Sequence, residues 1–97
     1  MTIDIQKIRA DFPALALTVH GKPLTFLDTA ASAQKPKQVL DAMRYCYENE
    51  YANVHRGMYD LSEKATFNFE NARKKVQKFI NAASDKEIVF TRGATDS

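Results

Sequence analysis

Near the carboxyl end, Ile88-Val89-Phe90-Thr91 runs into Arg92-Gly93-Ala94-Thr95-Asp96-Ser97. A short apolar strand, then Gly-x-Thr, then the expected start of a helix can bind an anion. Gly93 is expected to turn the backbone with positive φ. Successive N–H groups then point together, and a helix start adds unpaired amides and the positive end of its dipole. Thr95 supplies a hydroxyl that can bond a phosphate oxygen or cap the helix. Taken locally, a plain N-cap accounts for the same residues. Neither Gly-Lys-Ser/Thr nor Gly-x-Gly-x-x-Gly is present to support a nucleotide.

Two further segments carry candidate chemistry. Asn53-Val54-His55-Arg56-Gly57 places an imidazole and a guanidinium side by side next to a glycine. Arginine can clamp a carboxylate or phosphate through paired donors, and histidine can act as acid, base or hydrogen-bond partner. A solvated loop with a structural arginine fits equally well. Leu27-Asp28-Thr29-Ala30-Ala31-Ser32 is a strand end followed by very small residues, which allow close approach of a ligand or simply a tight loop.

Other chemistries find little support. The chain has one cysteine, Cys46, and two histidines, His20 and His55, far apart, so no disulfide framework or metal-ligand spacing is present. Cys46 falls beside Met43 and Tyr47 and reads as a small core hydrophobe. Arg73, Lys74, Lys75 and Lys78 flank an apolar stripe without interleaved aromatics, so they read as a solvated face rather than a nucleic-acid patch. A net charge of +2 argues for no polyanion partner. No apolar run approaches the roughly 18 residues of a membrane span, and no secretory signal opens the chain. A cytoplasmic location is the expectation.

The positioning elements follow from pattern. The chain has 97 residues, 44% apolar and 27% charged, the size of one small domain. Asp4 can cap a short helix with Ile5, Ile8 and Phe12 on one face, ended by Pro13. Residues 18–23 predict a turn around Gly21, and 24–28 a short strand. Pro36 suits the first turn of a helix over 36–49, with Val39, Leu40, Met43, Cys46 and Tyr47 at helical spacing. Residues 50–59 lose the period and predict a loop. Asp60-Leu61-Ser62-Glu63 has the form of a capping box. Behind it, Leu61, Ala65, Phe69, Ala72, Val76, Phe79 and Ile80 form one apolar stripe, with Glu70 and Lys74 as an i,i+4 pair. Asn81 is the expected stop. Residues 88–91 predict a strand buried on both faces of a parallel sheet. Two strands alone are marginal in water, so the pattern points to part of a larger α/β domain. A small, mostly helical interaction module without catalysis is the alternative of a different class.

Three separated motifs then align. Leu27-Asp28-Thr29-Ala30-Ala31-Ser32-Ala33-Gln34-Lys35-Pro36, Tyr51-Ala52-Asn53-Val54-His55-Arg56-Gly57 and Phe90-Thr91-Arg92-Gly93-Ala94-Thr95, in this order and spacing, resemble the SUF-type (group II) cysteine desulfurases of the class V aminotransferase family, fold type I. The match extends to the opening Ile8-Arg9-Ala10-Asp11-Phe12-Pro13. The resemblance implies an α/β fold with a mostly parallel sheet and flanking helices. This segment would be mainly helical with two short strands, an amino-terminal segment over 1–97 with no complete domain. It implies a homodimer that binds pyridoxal phosphate as a Schiff base to a lysine, takes sulfur from L-cysteine, and leaves alanine and an enzyme persulfide for a sulfur-acceptor protein and iron–sulfur cluster assembly.

By the same resemblance, Ala94 and Thr95 match the phosphate-cup residues that bind the cofactor, with alanine where the family usually has a second threonine. Ala30, Ala31, His55 and Arg56 match residues lining the substrate site. No catalytic residue is expected in this segment, because the family's Schiff-base lysine and persulfide cysteine lie beyond the position of Ser97, and Cys46 does not match the latter. The segment alone is therefore expected to be inactive. Selenocysteine lyases, kynureninase-like enzymes and epimerases share the superfamily and remain alternatives.

Overall fold

The computed structural model describes residues 2–97. The chain divides into two compact units, one ending at Asn49 and the other spanning Glu50–Ser97.

The first unit opens with α1, Ile5–Ala10, whose N-cap Asp4 accepts a hydrogen bond from the Lys7 amide at 3.0 Å. Pro13 enters a 3-10 turn, Pro13–Ala16, where its missing N–H costs nothing. Two strands of two residues follow, β1 (Thr18–Val19) and β2 (Lys22–Pro23), paired antiparallel with Val19 opposite Lys22. His20 (φ 51°) and Gly21 (φ 74°) are both left-handed, the requirement of the tight turn that matches strand twist. The Arg9 guanidinium donates to the carbonyls of Leu15 (3.1 Å) and Leu24 (2.9 Å), tying α1 to both ends of this hairpin. Helix α2, Lys37–Asn49, carries exposed i,i+4 pairs Lys37–Asp41 (2.5 Å) and Arg44–Glu48 (2.9 Å), each worth a few tenths of a kcal/mol.

The second unit is organised by α3, Asp60–Phe79. Asp60 and Glu63 in its first turn favour the positive end of the dipole. At the other end, Asn81 is left-handed (φ 57°), with Asn81 N–H bonded to Lys78 O (3.3 Å) and Ala82 N–H to Gln77 O (3.0 Å). This is a Schellman motif, so Asn81 is the stop its residue type predicted. A 3-10 turn, Asp85–Glu87, capped by Ser84, leads into Ile88.

Several expectations are corrected. The segment is mainly helical with two short strands, but the strands are β1 and β2, not 24–28 and 88–91. Those stretches have no strand neighbour among the described residues, so no ladder, parallel or otherwise, forms there. The residue before α3 is Tyr59, without a side-chain cap bond. Asp60 already lies inside the helix, so the capping box does not form. Glu70 pairs with His55 and Arg73 rather than Lys74. Cys46 is half-buried, not a core residue. The apolar stripes are largely uncovered: Ala65 and Phe69 of α3 are half-buried, but Phe79 is 91% exposed, and Ile88 is the one buried hydrophobic side chain among the described residues.

Candidate functional site

The loop before α3 is built onto one face of that helix. Ser62 is fully buried. Its hydroxyl accepts from the Gly57 N–H at 3.0 Å and donates to the Asn53 carbonyl at 2.6 Å. Both ends of the Asn53–Gly57 loop are thereby pinned to one oxygen. One turn on, Thr66 donates its hydroxyl to the Ser62 carbonyl (2.8 Å) and accepts from the His55 N–H (2.9 Å). A further turn on, Glu70 Oε1 lies 2.9 Å from His55 Nε2. Its other oxygen accepts from Arg73 Nε at 3.3 Å. Ser62, Thr66, Glu70 and Arg73 thus form a polar ladder at helical spacing.

The backbone of this loop is specialised. His55 adopts φ 64°, a left-handed conformation uncommon outside glycine. Gly57 is required by close approach: a Cβ there would sit 2.6 Å from Ser62 Cβ and Oγ and would run into the Tyr59 ring. The result holds the half-exposed His55 imidazole in place, while Arg56, exposed beside it, makes no hydrogen bond or ion pair among the described residues.

Arg73 joins this loop to the carboxyl-terminal segment. It donates to the Ile88 carbonyl, and its guanidinium lies 5.2 Å from the Phe69 ring centroid and 5.1 Å from that of Phe90. Phe69 meets Phe90 edge-on at 5.3 Å and His55 edge-on at 6.1 Å. Phe69 is therefore the shared neighbour of the His55 loop and of the strand-like approach to Gly93.

Beyond Phe90 the chain curls. The Ser97 N–H bonds to Gly93 O at 3.1 Å, a single α-type turn. Arg92, Gly93, Ala94, Thr95 and Asp96 line an open depression. The amides of Gly93, Ala94, Thr95 and Asp96 have no acceptor among the described residues. The Arg92 amide bonds the Asp96 carboxylate at 3.2 Å. Gly93 is not at positive φ, which corrects the expectation, and a Cβ on it would meet nothing within 4 Å. The turn is made with ordinary φ, so the glycine leaves open space rather than relieving strain. The unpartnered amides and the Thr95 hydroxyl are hydrogen-bond donors of the kind a phosphoryl oxygen accepts from.

Ala30 and Ala31 lie in the first unit, exposed, in a turn where the Ala31 and Ser32 amides both bond Asp28 O at 3.1 Å. His55, Arg56, Ala94 and Thr95 lie in the second unit, linked through Phe69. Sequence reasoning missed Ser62, Thr66 and Arg73 as supports of the loop. The available signal was the 4-4-3 spacing of polar side chains beside the apolar stripe. Among the described residues no group of histidine, cysteine and carboxylate side chains could hold a metal ion, and no helix is long and apolar enough to cross a membrane.

The family model for class-V aminotransferases matches residues 25–97. Cysteine desulfurases of Salmonella newport (strain SL254), Salmonella typhimurium (strain LT2) and Salmonella typhi are each 54% identical over 96 residues, covering 99% of this chain and 24% of theirs. The chain spans about a quarter of the length of these relatives.

Proposed function

Because the chain belongs to the class-V aminotransferase family, we propose that it is the amino-terminal part of a pyridoxal-phosphate-dependent cysteine desulfurase of the SUF type. The observation that carries this reading is the 54% identity over an alignment of 96 residues that takes in 99% of this chain. In the net reaction, a cysteine thiol of the enzyme takes the sulfur of L-cysteine. L-alanine leaves, and a persulfide remains for a sulfur-acceptor protein in iron–sulfur cluster assembly. In this reading the full-length enzyme is a homodimer, as the resemblance implies, and works in the cytoplasm.

Ala94 and Thr95 would hold the cofactor's phosphate through their amides and the Thr95 hydroxyl. When bound, pyridoxal phosphate supplies the electron sink that weakens the substrate's Cα–H bond. The roles of this chain's other residues are orientation and proton handling. Arg56, with its unpaired guanidinium, is suited to the substrate carboxylate. His55, fixed on the α3 ladder, faces solvent as a hydrogen-bonding imidazole. Ala30 and Ala31 leave room for a substrate by their small size.

Two measurements test this reading. The full-length enzyme converts L-cysteine to alanine with one sulfane sulfur per alanine, whereas the 97-residue chain mixed with pyridoxal phosphate gives no alanine above free cofactor. Sulfide and alanine from the isolated chain would refute the expected inactivity, and a full-length protein inert toward L-cysteine would refute the activity. Thr95→Ala removes a hydroxyl from a charged phosphate, a bond worth about 1.5 kcal/mol. The cofactor dissociation constant in the full-length enzyme should rise about 10-fold, read by absorbance titration; an unchanged constant would remove Thr95 from the cup.

A further inference from the structure

The ladder on α3 does more than support the loop, because one of its members meets a ring nitrogen. Both oxygens of Glu70 face donors: Arg73 Nε at 3.3 Å and His55 Nε2 at 2.9 Å. A carboxylate can only accept hydrogen bonds, so the proton of a neutral imidazole resides on Nε2. Nδ1 is left with its lone pair. The bond to Glu70 is what holds the ring in this orientation. The His55 backbone is held at φ 64° by the bond from its N–H to Thr66, and the imidazole stands perpendicular to the Phe69 ring at 89°.

We propose that Glu70 is a positioning residue: it selects the His55 tautomer whose Nδ1 accepts a proton from the ammonium group of the amino-acid substrate. This rests on the desulfurase reading for the identity of the substrate, but not for the tautomer. In the step, the substrate N–H bond breaks and its electron pair stays on the amine. The proton moves to Nδ1, and the imidazolium so formed keeps its Nε2–H bond to the Glu70 carboxylate as a charge-assisted pair.

The discriminating variant is Glu70→Gln, which preserves size. Glutamine has one oxygen. Arg73 can only donate, so that oxygen turns to Arg73 and the amide NH2 faces His55. The imidazole must then accept at Nε2 and carry its proton on Nδ1, the wrong tautomer for taking a proton from substrate. The experiment is 15N spectroscopy of histidine-labelled, full-length holoenzyme, with the His55 signals assigned by their loss in His55→Gln. The parent enzyme should show a pyrrole-type Nε2 and a pyridine-type Nδ1, and Glu70→Gln should invert the pair. The same variant should lower kcat/KM for L-cysteine about 10-fold, less than the roughly 100-fold or more that outright loss of an acid–base group costs, because the imidazole stays in place, and it should have no further effect in a His55→Ala background.

A merely structural Glu70 would tolerate the isosteric change, with the tautomer unchanged; that result overturns the proposal. So does an equal loss of activity in the His55→Ala background, or a parent spectrum with two pyrrole-type nitrogens. A full-length protein inert toward L-cysteine but with the Glu70-dependent inversion would sink the desulfurase reading and leave the tautomer assignment standing.

Discussion

Gly57→Val should cost the full-length enzyme about 3 kcal/mol of local stability, the upper range for overpacking a tight site. The side chain would enter space already held by Ser62 Cβ and Oγ, 2.6 Å from its Cβ, and by the Tyr59 ring. Tyr59 can swing aside, since it is half-exposed. Ser62 cannot, because it is fully buried in the helix. The loop must therefore lift, and lifting breaks the bond from Gly57 N–H to Ser62. Hydrogen exchange reads this directly: the amides of His55 and Gly57 should lose protection while those in the middle of α3 keep theirs. Gly93→Ala is the contrasting case for stability, because its Cβ would meet nothing within 4 Å and its φ is ordinary. Equal protection at His55 and Gly57 in the valine variant and the parent would show that the close approach carries no energy.

The second large effect is on turnover. His55→Ala in the full-length enzyme should lower kcat/KM for L-cysteine about 100-fold, the lower end for loss of a positioned acid–base group. The substitution removes an imidazole that is bound through Nε2 on the helix side and half-exposed otherwise. It also relieves no crowding, so the loop should stay in place on Ser62 and Thr66. Cofactor absorbance and hydrogen exchange at residues 53–57 should therefore match the parent while alanine production falls. Parent-like kinetics would place His55 outside the substrate site.

Much of this arrangement was legible in the residues alone, and the failures have physical causes. Asp4, Pro13, Gly21 and Asn81 act locally: each sets a cap, a turn or a stop through its own backbone or side chain. Pattern reading finds such positions because no distant partner is needed. The strands over 24–28 and 88–91 failed because a strand is completed by a neighbour's backbone, and none is paired there. The capping box failed and Ser62 was overlooked for a subtler reason. An acidic or hydroxyl residue three before a glutamate suggests capping by Asp60, but the helix already starts there, and the hydroxyl of Ser62 inside it serves the preceding loop nine residues back, at Asn53. Glu70 was misassigned because Lys74 lies one turn away in sequence, whereas His55 reaches it only through the fold. Local capping and turn chemistry could be read from the chain; the support of His55 could not, since it depends on which loop the helix face meets.

The regular spacing of Ser62, Thr66, Glu70 and Arg73 has an evolutionary corollary. Each residue advances a helix by about 100°, so gaining or losing one residue between Ser62 and Arg73 swings every later rung off the loop. Substitutions can be compensated there one at a time; a change of length cannot. Insertions and deletions should accordingly accumulate before Asp60 or after Asn81, leaving this stretch of α3 as a ruler whose graduations are conserved even where its markings differ.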